Sequence, residues 1–281
     1  MSMHASSASP SLTQRLANPT RFMAYSAPLM WALTALAAVL ISLGLYQAFF
    51  IAPEDYQQGQ TVRIMFIHVP SAWLAMMGYA LIAVSSFGYL VFRHPLADVS
   101  AKAAAPIGAV FTLMALITGA LWGKPMWGTY WVWDARLTSV LILFILYLGL
   151  IALRSAFEDE ALGAKMAAIL ALVGVAIVPF IRISVEGLSI PWLGIDIPSW
   201  NTLHQPSSVL RSDGPAIHPT ILWPLLINAL GYTTLFFAMH LKAMRNDILR
   251  RRAAAMHRRA ARVAHVDVGA GTEAVGPGSS A

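Results

Sequence analysis

The chain contains no cysteine in 281 residues, which excludes a disulfide, a thiolate metal ligand and a cysteine nucleophile. Charge is also scarce. Asp, Glu, Lys and Arg make up 11% of the residues, against about a quarter in ordinary globular chains, and the deficit falls in long uncharged runs. With 58% hydrophobic residues and a mean hydropathy of +0.64, a soluble domain is excluded. The phosphate-cradling pattern Gly-x4-Gly-Lys-Ser/Thr is missing, because Gly123-Lys124 is followed by Pro125, and neither an HExxH nor a Ser-His-Asp arrangement is present. Polar side chains inside the apolar runs are few, chiefly Thr34, Ser42, Gln47, Thr112, Thr118 and Asn228, which argues against an aqueous conduit.

What is present is a set of six apolar runs: Pro28–Ala52, Val69–Phe92, Ala103–Leu121, Leu137–Leu153, Met166–Ile181 and Ile217–Leu241. A helix of about 17–25 apolar residues crosses the hydrocarbon core and satisfies its own backbone amides, so the expected fold is an all-α integral membrane protein with six transmembrane helices. The first run is too long for a signal-peptide core and is read as a retained span. Lysine and arginine set the orientation. One side holds Arg15, Arg21, Arg93, Lys102, Arg154, Lys165 and eight in the tail from Lys242 to Arg262, 14 in all; the other holds Arg63, Lys124, Arg136, Arg182 and Arg211, 5 in all. Both termini are therefore expected on the cytoplasmic side. The organisation expected is a cytoplasmic segment over 1–27, a six-helix membrane domain over 28–242, and a basic, disordered cytoplasmic tail over 243–281. The net charge of +6 sits between spans and in the tail, which suits membrane lipids and gives no reason to expect nucleic acid.

Three segments share the outward side: 53–68, the aromatic stretch after the third run, and 182–216. The second of these reads Trp122-Gly-Lys-Pro-Met-Trp127-Gly-Thr-Tyr130-Trp131-Val-Trp133-Asp134-Ala-Arg136, and it carries four of the nine tryptophans. Amphipathic rings collect at membrane interfaces as a belt, but five aromatics in twelve residues, with two glycines, a proline and the Asp134/Arg136 pair, exceed a belt. Such a platform suits a planar, hydrophobic, polarizable ligand, with Asp134 and Arg136 pairing with each other or orienting the ligand or a docking partner. His68, in Arg63-Ile-Met-Phe-Ile-His68-Val-Pro70, and His204, in Trp200-Asn-Thr-Leu-His204-Gln-Pro206, fall on the same side. Neutral imidazoles from separate elements can meet a porphyrin iron from its two faces, while each alone can equally be a polar anchor. His218 and His240 are weaker candidates, and His4, His94, His257 and His265 fall on the cytoplasmic side.

The run Trp122 to Ser139 resembles the tryptophan-rich segment of the haem-handling proteins of cytochrome c maturation. Together with Asp55-Tyr-Gln-Gln-Gly59, Arg63 to Pro70 and Asn201-Thr-Leu-His-Gln205, it resembles the CcmC family, haem exporter protein C, over residues 28 to 242. The resemblance implies a multi-pass protein of the bacterial inner membrane, not itself an enzyme, with haem b as its cargo on the periplasmic face. It implies a haem platform of Trp122, Trp127, Tyr130, Trp131, Trp133, Asp134 and Arg136, with His68 and His204 as axial ligands. It also implies delivery to the haem chaperone CcmE, with the ABC-type complex CcmA/CcmB and the small protein CcmD as partners. The rival readings are a haem permease and a haem lyase; a lyase is disfavoured by the absence of an extra outer domain. One departure stands out. In the family the acidic residue ending the fifth span leads almost directly into the histidine segment, whereas here Gly187 to Ser199 intervene, an insert expected to form a surface hairpin with Trp192 as a substitute tryptophan.

Overall fold

The computed structural model describes residues 18–209, 211 and 214–273, the last thirteen as backbone. Helix α1 spans Pro19–Tyr46 and is continued by a π turn, Gln47–Ile51. It starts nine residues before the apolar run because Asn18 caps it, accepting from the Thr20 N–H at 2.9 Å, and Pro19 occupies the first turn, where its missing N–H costs nothing. A 3-10 turn, Gln60–Ile64, leads into α2, Met65–Phe92, and α3 follows over Pro95–Trp127. Helix α4 covers Ala135–Ser155. The fifth span is two helices, α5 Glu160–Gly174 and α6 Ile177–Glu186, because Pro179 has no N–H to give the Val175 carbonyl and its ring crowds it. Six spans among the described residues are long and apolar enough to cross a membrane.

The sixth, α7, runs Pro219–Glu273. This corrects the expected disordered tail: residues 243–273 are helical, while of the expected N-terminal segment residues 1–17 lie outside the described residues and 19–27 form the start of α1. The stretch holds helix formers, and its first acidic residue is built into the bundle. Asp247 is buried and pairs with Lys102 at 2.9 Å, Arg250 at 2.9 Å and Arg251 at 2.7 Å. Arg251 also reaches Asp98 at 2.7 Å, and Asp98 pairs with Arg154 at 2.7 Å, so α3, α4 and α7 are joined at one end. Breaking such a pair leaves an uncompensated buried charge, which makes this end costly to open.

Lipid tails are as apolar as leucine, so helices associate through close van der Waals packing at small residues. Helix α2 packs along α3, and α1 along α7. On the second seam, a Cβ at Gly44 would lie 2.7 Å from the Asn228 side chain. Tyr147 of α4 fills the notch made by Gly78 and Gly108, and its hydroxyl donates to the Ala75 carbonyl at 2.7 Å. Tyr79 meets it edge-on at 5.3 Å, and its hydroxyl lies against Gly174. A methyl at Gly108 would overlap the Tyr147 ring, so Gly108→Ala is expected to cost about 1–3 kcal/mol. The check is the unfolding midpoint in detergent. Gly88→Ala serves as the control, since a Cβ there meets only Ala97 at an ordinary 3.5 Å.

The short sheet is one antiparallel hairpin, β1 Leu188–Ile190 and β2 Ile195–Ile197, with Leu188 opposite Ile197. It occupies the insert, as expected. Trp192 at its tip is 83% exposed.

Candidate functional site

His68 lies in the first turn of α2, a position fixed by the helix backbone. Its Nδ1 is 3.1 Å from the Thr118 hydroxyl of α3. That hydroxyl has one hydrogen, which it donates to the Met114 carbonyl at 2.6 Å, so we assign the proton between His68 and Thr118 to Nδ1. Nε2 is then an unprotonated lone pair. The ring fits because Gly119 has no side chain; a Cβ there would come within 2.9 Å of the imidazole. Trp122 meets His68 edge-on at 5.7 Å, and its indole N–H donates to Gln58 Oε1 at 3.0 Å. Gln58 is placed by a turn in which Asp55 accepts from the Gln57 and Gln58 N–H groups, both at 2.9 Å, and which Gly59 closes with φ +55°. The Asp55–Gly59 motif thus holds Trp122, which holds His68.

His204 is held from the other side of the aromatic segment. Asp134 caps α4, one carboxylate oxygen accepting from the Leu137 N–H at 2.8 Å. Its other oxygen accepts from the Thr202 hydroxyl at 2.6 Å and the Leu203 N–H at 3.1 Å. The Thr202 oxygen in turn accepts from the His204 N–H at 3.2 Å. Asp134 makes no ion pair with Arg136; its acceptors are occupied by its own helix and by the His204 loop. The loop is further pinned where Trp200 donates its N–H to the Ser184 carbonyl at 2.9 Å and stacks obliquely on Phe180 at 4.8 Å. The insert therefore leaves and returns to α6 at one place, and the hairpin carries Trp192 as an exposed tip.

His204 Nδ1 lies 2.7 Å from the Gln205 carbonyl, which can only accept, so Nδ1 carries the proton and Nε2 is again free. Burial, with the nearby Arg136 charge second, pushes its pKa from 6.5 down to about 4. The folded value lies below the unfolded one, so the neutral form persists as pH falls from 8 to 5, and protonation opposes the fold only between about 6.5 and 4. Uptake of an iron ligand that needs neutral imidazole is expected to be flat from pH 8 to 5 and to fall near pH 4. A midpoint at 6.5 in that uptake would mean a solvated His204.

The structure divides the aromatic residues. Trp131 and Trp133 meet edge-on at 5.6 Å and, with Leu116, Ile117, Ala120 and Leu141, line an open apolar groove of about 410 Å³. The Trp131 indole nitrogen is buried without a partner. Trp127 packs instead over Gly123 at the end of α3, and Tyr130 lies under the Lys124 ammonium at 5.3 Å. Gly128, at φ +76°, ends α3 and turns the chain into this segment. Arg136 donates to the Ile181 carbonyl at 3.4 Å and places its charge within range of both imidazoles, which also act on each other electrostatically. His218 differs: its Nδ1 accepts from the Thr220 N–H, so its proton is on Nε2 and it caps α7. Gln58 and Thr202 were missed as site residues, since their roles depend on contacts 64 and 68 residues away in sequence.

These features lie in a chain with close relatives. The family model "Heme exporter protein C" matches residues 12–259. The chain is 56% identical over 237 residues to heme exporter protein C of Bradyrhizobium diazoefficiens, covering 84% of this chain and 85% of that one. It is 46% identical to the Escherichia coli K12 protein of the same name, covering 76% and 81%. Against a ccmC-like mitochondrial protein of cytochrome c biosynthesis from Marchantia polymorpha it is 45% identical, covering 70% and 75%. The matched span takes in the first five membrane spans, all but the end of the sixth, the aromatic segment and both histidines, and the chain belongs to the heme exporter protein C family.

Proposed function

We propose that this multi-pass membrane protein binds haem b as cargo between His68 and His204 and delivers it to the chaperone CcmE in cytochrome c maturation. The observation that carries the reading is the pair of imidazoles, set in one tautomer by Thr118 and Gln205, each with Nε2 free. Among the described residues no group of three or more His, Cys, Asp or Glu side chains could hold a bare ion. A divalent ion wants about four protein ligands, whereas a porphyrin brings four nitrogens and asks only for axial ones. The Trp131/Trp133 groove offers an apolar face for the macrocycle, and Arg136 offers a cation of the right shape for its carboxylates.

The charge asymmetry supports an outward orientation of this end, on the periplasmic face of the inner membrane, with the termini cytoplasmic. The family resemblance supports CcmA/CcmB and CcmD as companions and no intrinsic turnover. A permease reading has less support: the hydroxyls of Ser71 and Thr112 and the Asn228 amide bond back to their own helices.

The test is an absorption spectrum of the detergent-purified protein. A low-spin, bis-imidazole haem is expected, and colourless protein from haem-replete cells would overturn the reading. Reporter fusions after Trp131 and Glu160 should report opposite sides, the first outward.

A further inference from the structure

We propose that the end of the bundle opposite the histidines carries a site for one glycerophospholipid of the facing leaflet, seated between α2 and α3. A groove of about 350 Å³ lies there, lined by Val84, Ser85, Gly88, Phe92, His94 and Ser100 among others. It opens on the outer flank of the bundle, where Val84 and Phe92 are each 71% exposed. Gly88 leaves a notch between the helices, with Ala97 as the nearest neighbour of any Cβ placed there.

The floor is polar. Ser85 and Ser100 hydroxyls are 3.0 Å apart, and Ser100 is 3.2 Å from Nε2 of His240, a residue 5% exposed. Polar groups inside a span are costly unless partnered, and serines there usually donate to their own helix, as Ser71 does. Ser85 and Ser100 instead form a chain from the buried imidazole to the groove. His240 Nδ1 is buried without a partner. A buried orphan N–H is rarer than an orphan acceptor, so the proton sits on Nε2 and donates to Ser100, and Ser100 donates to Ser85. The Ser85 hydrogen then faces the groove. His94 Nδ1 is also buried and unpartnered. Between the lining residues Phe92 and His94, Arg93 is exposed and is the one non-glycine with positive φ, +51°, among the described residues.

Depth selects the occupant. Ser85 lies seven residues before Phe92, or about 10 Å at 1.5 Å per residue, just inside the boundary of headgroup region and hydrocarbon. A lipid's phosphate would meet Arg93, an acyl ester carbonyl would accept from Ser85, and a chain would fill the Gly88 notch. Free phosphate shares only the first of these contacts.

Because the chain has no cysteine, Val84→Cys, on the exposed flank of the groove and leaving the Gly88 notch intact, creates a single thiol whose maleimide labelling reads groove occupancy. In the detergent-solubilised full chain, dioleoylphosphatidylglycerol at ten times its Kd should slow labelling about tenfold, and inorganic phosphate should not. Adding Ser85→Ala and Arg93→Gly, the latter relieving the strained φ, should remove most of the protection while circular dichroism stays that of the parent. Lack of protection by the lipid, equal protection in the triple variant, or protection by ferric haem in place of lipid would each overturn the proposal.

Discussion

His204→Ala is expected to abolish the bis-imidazole spectrum and to weaken haem retention by more than about 100-fold, since even groups that only orient a ligand cost 10–100-fold when removed. His68→Ala should act alike. Protein levels should stay near normal for His204→Ala, because a half-buried loop imidazole held by one short local hydrogen bond contributes little to folding. Loss of protein from the membrane, with unchanged haem per remaining molecule, would instead make both histidines structural. Asp134→Asn provides the graded case. Its two oxygens serve the α4 cap and the Thr202–Leu203 clamp, and an amide supplies only one acceptor oxygen, its NH2 facing donors on the other side. A loss of about 10–100-fold in retention is expected, with Thr202→Val following it. Unchanged haem with slowed transfer to CcmE would assign Asp134 to the partner instead.

The second large effect concerns the aromatic groove. Trp131→Ala with Trp133→Ala removes both rings that line it, and at about 1 kcal/mol per ring beyond area burial the pair should weaken haem binding by roughly tenfold or more. Trp31→Ala with Trp192→Ala removes two rings, 67% and 83% exposed, that do not line the groove. Haem per protein, measured at matched membrane levels, decides between platform and belt, because anchoring depends on the depth and number of rings and not on which segment bears them. Equal losses would reduce the segment to a belt. Phenylalanine in place of each tryptophan should be milder, since a smaller ring face remains.

The apolar runs were enough to find six spans, because an unbroken apolar run of that length satisfies its own backbone in lipid as a helix. Their ends were harder to read. Asn18-Pro19 is a local start signal that hydropathy alone passes over, and Pro179 a local break inside an otherwise unbroken run. The helical stretch after residue 242 was unreadable for another reason: charge there suggested solvent, while Asp247 is matched to Lys102 and Arg251 to Asp98, both far away in sequence. The candidate site shows the same division. Residue types and sidedness marked His68, His204 and the tryptophans, but which rings line the groove depends on where Gly128 and Asp134 turn the chain. The supports Gln58 and Thr202 lack any chemical signature of their own.

The two imidazoles are mounted on unequal bases. His68 belongs to the first turn of a long helix and is packed against Thr118, Gly119 and Trp122 of α3, so moving it requires that turn to unwind or shift against α3. His204 sits on a loop held at points, by the Asp134 oxygen shared by Thr202 and Leu203 and by Trp200 on Ser184 and Phe180. Local opening free energies are lowest where few buried contacts hold the backbone. An iron bound by both would therefore exchange ligands in a fixed sequence, with the loop-borne bond the first to lengthen. The cargo would then remain tethered through α2 until an incoming ligand took the vacated face.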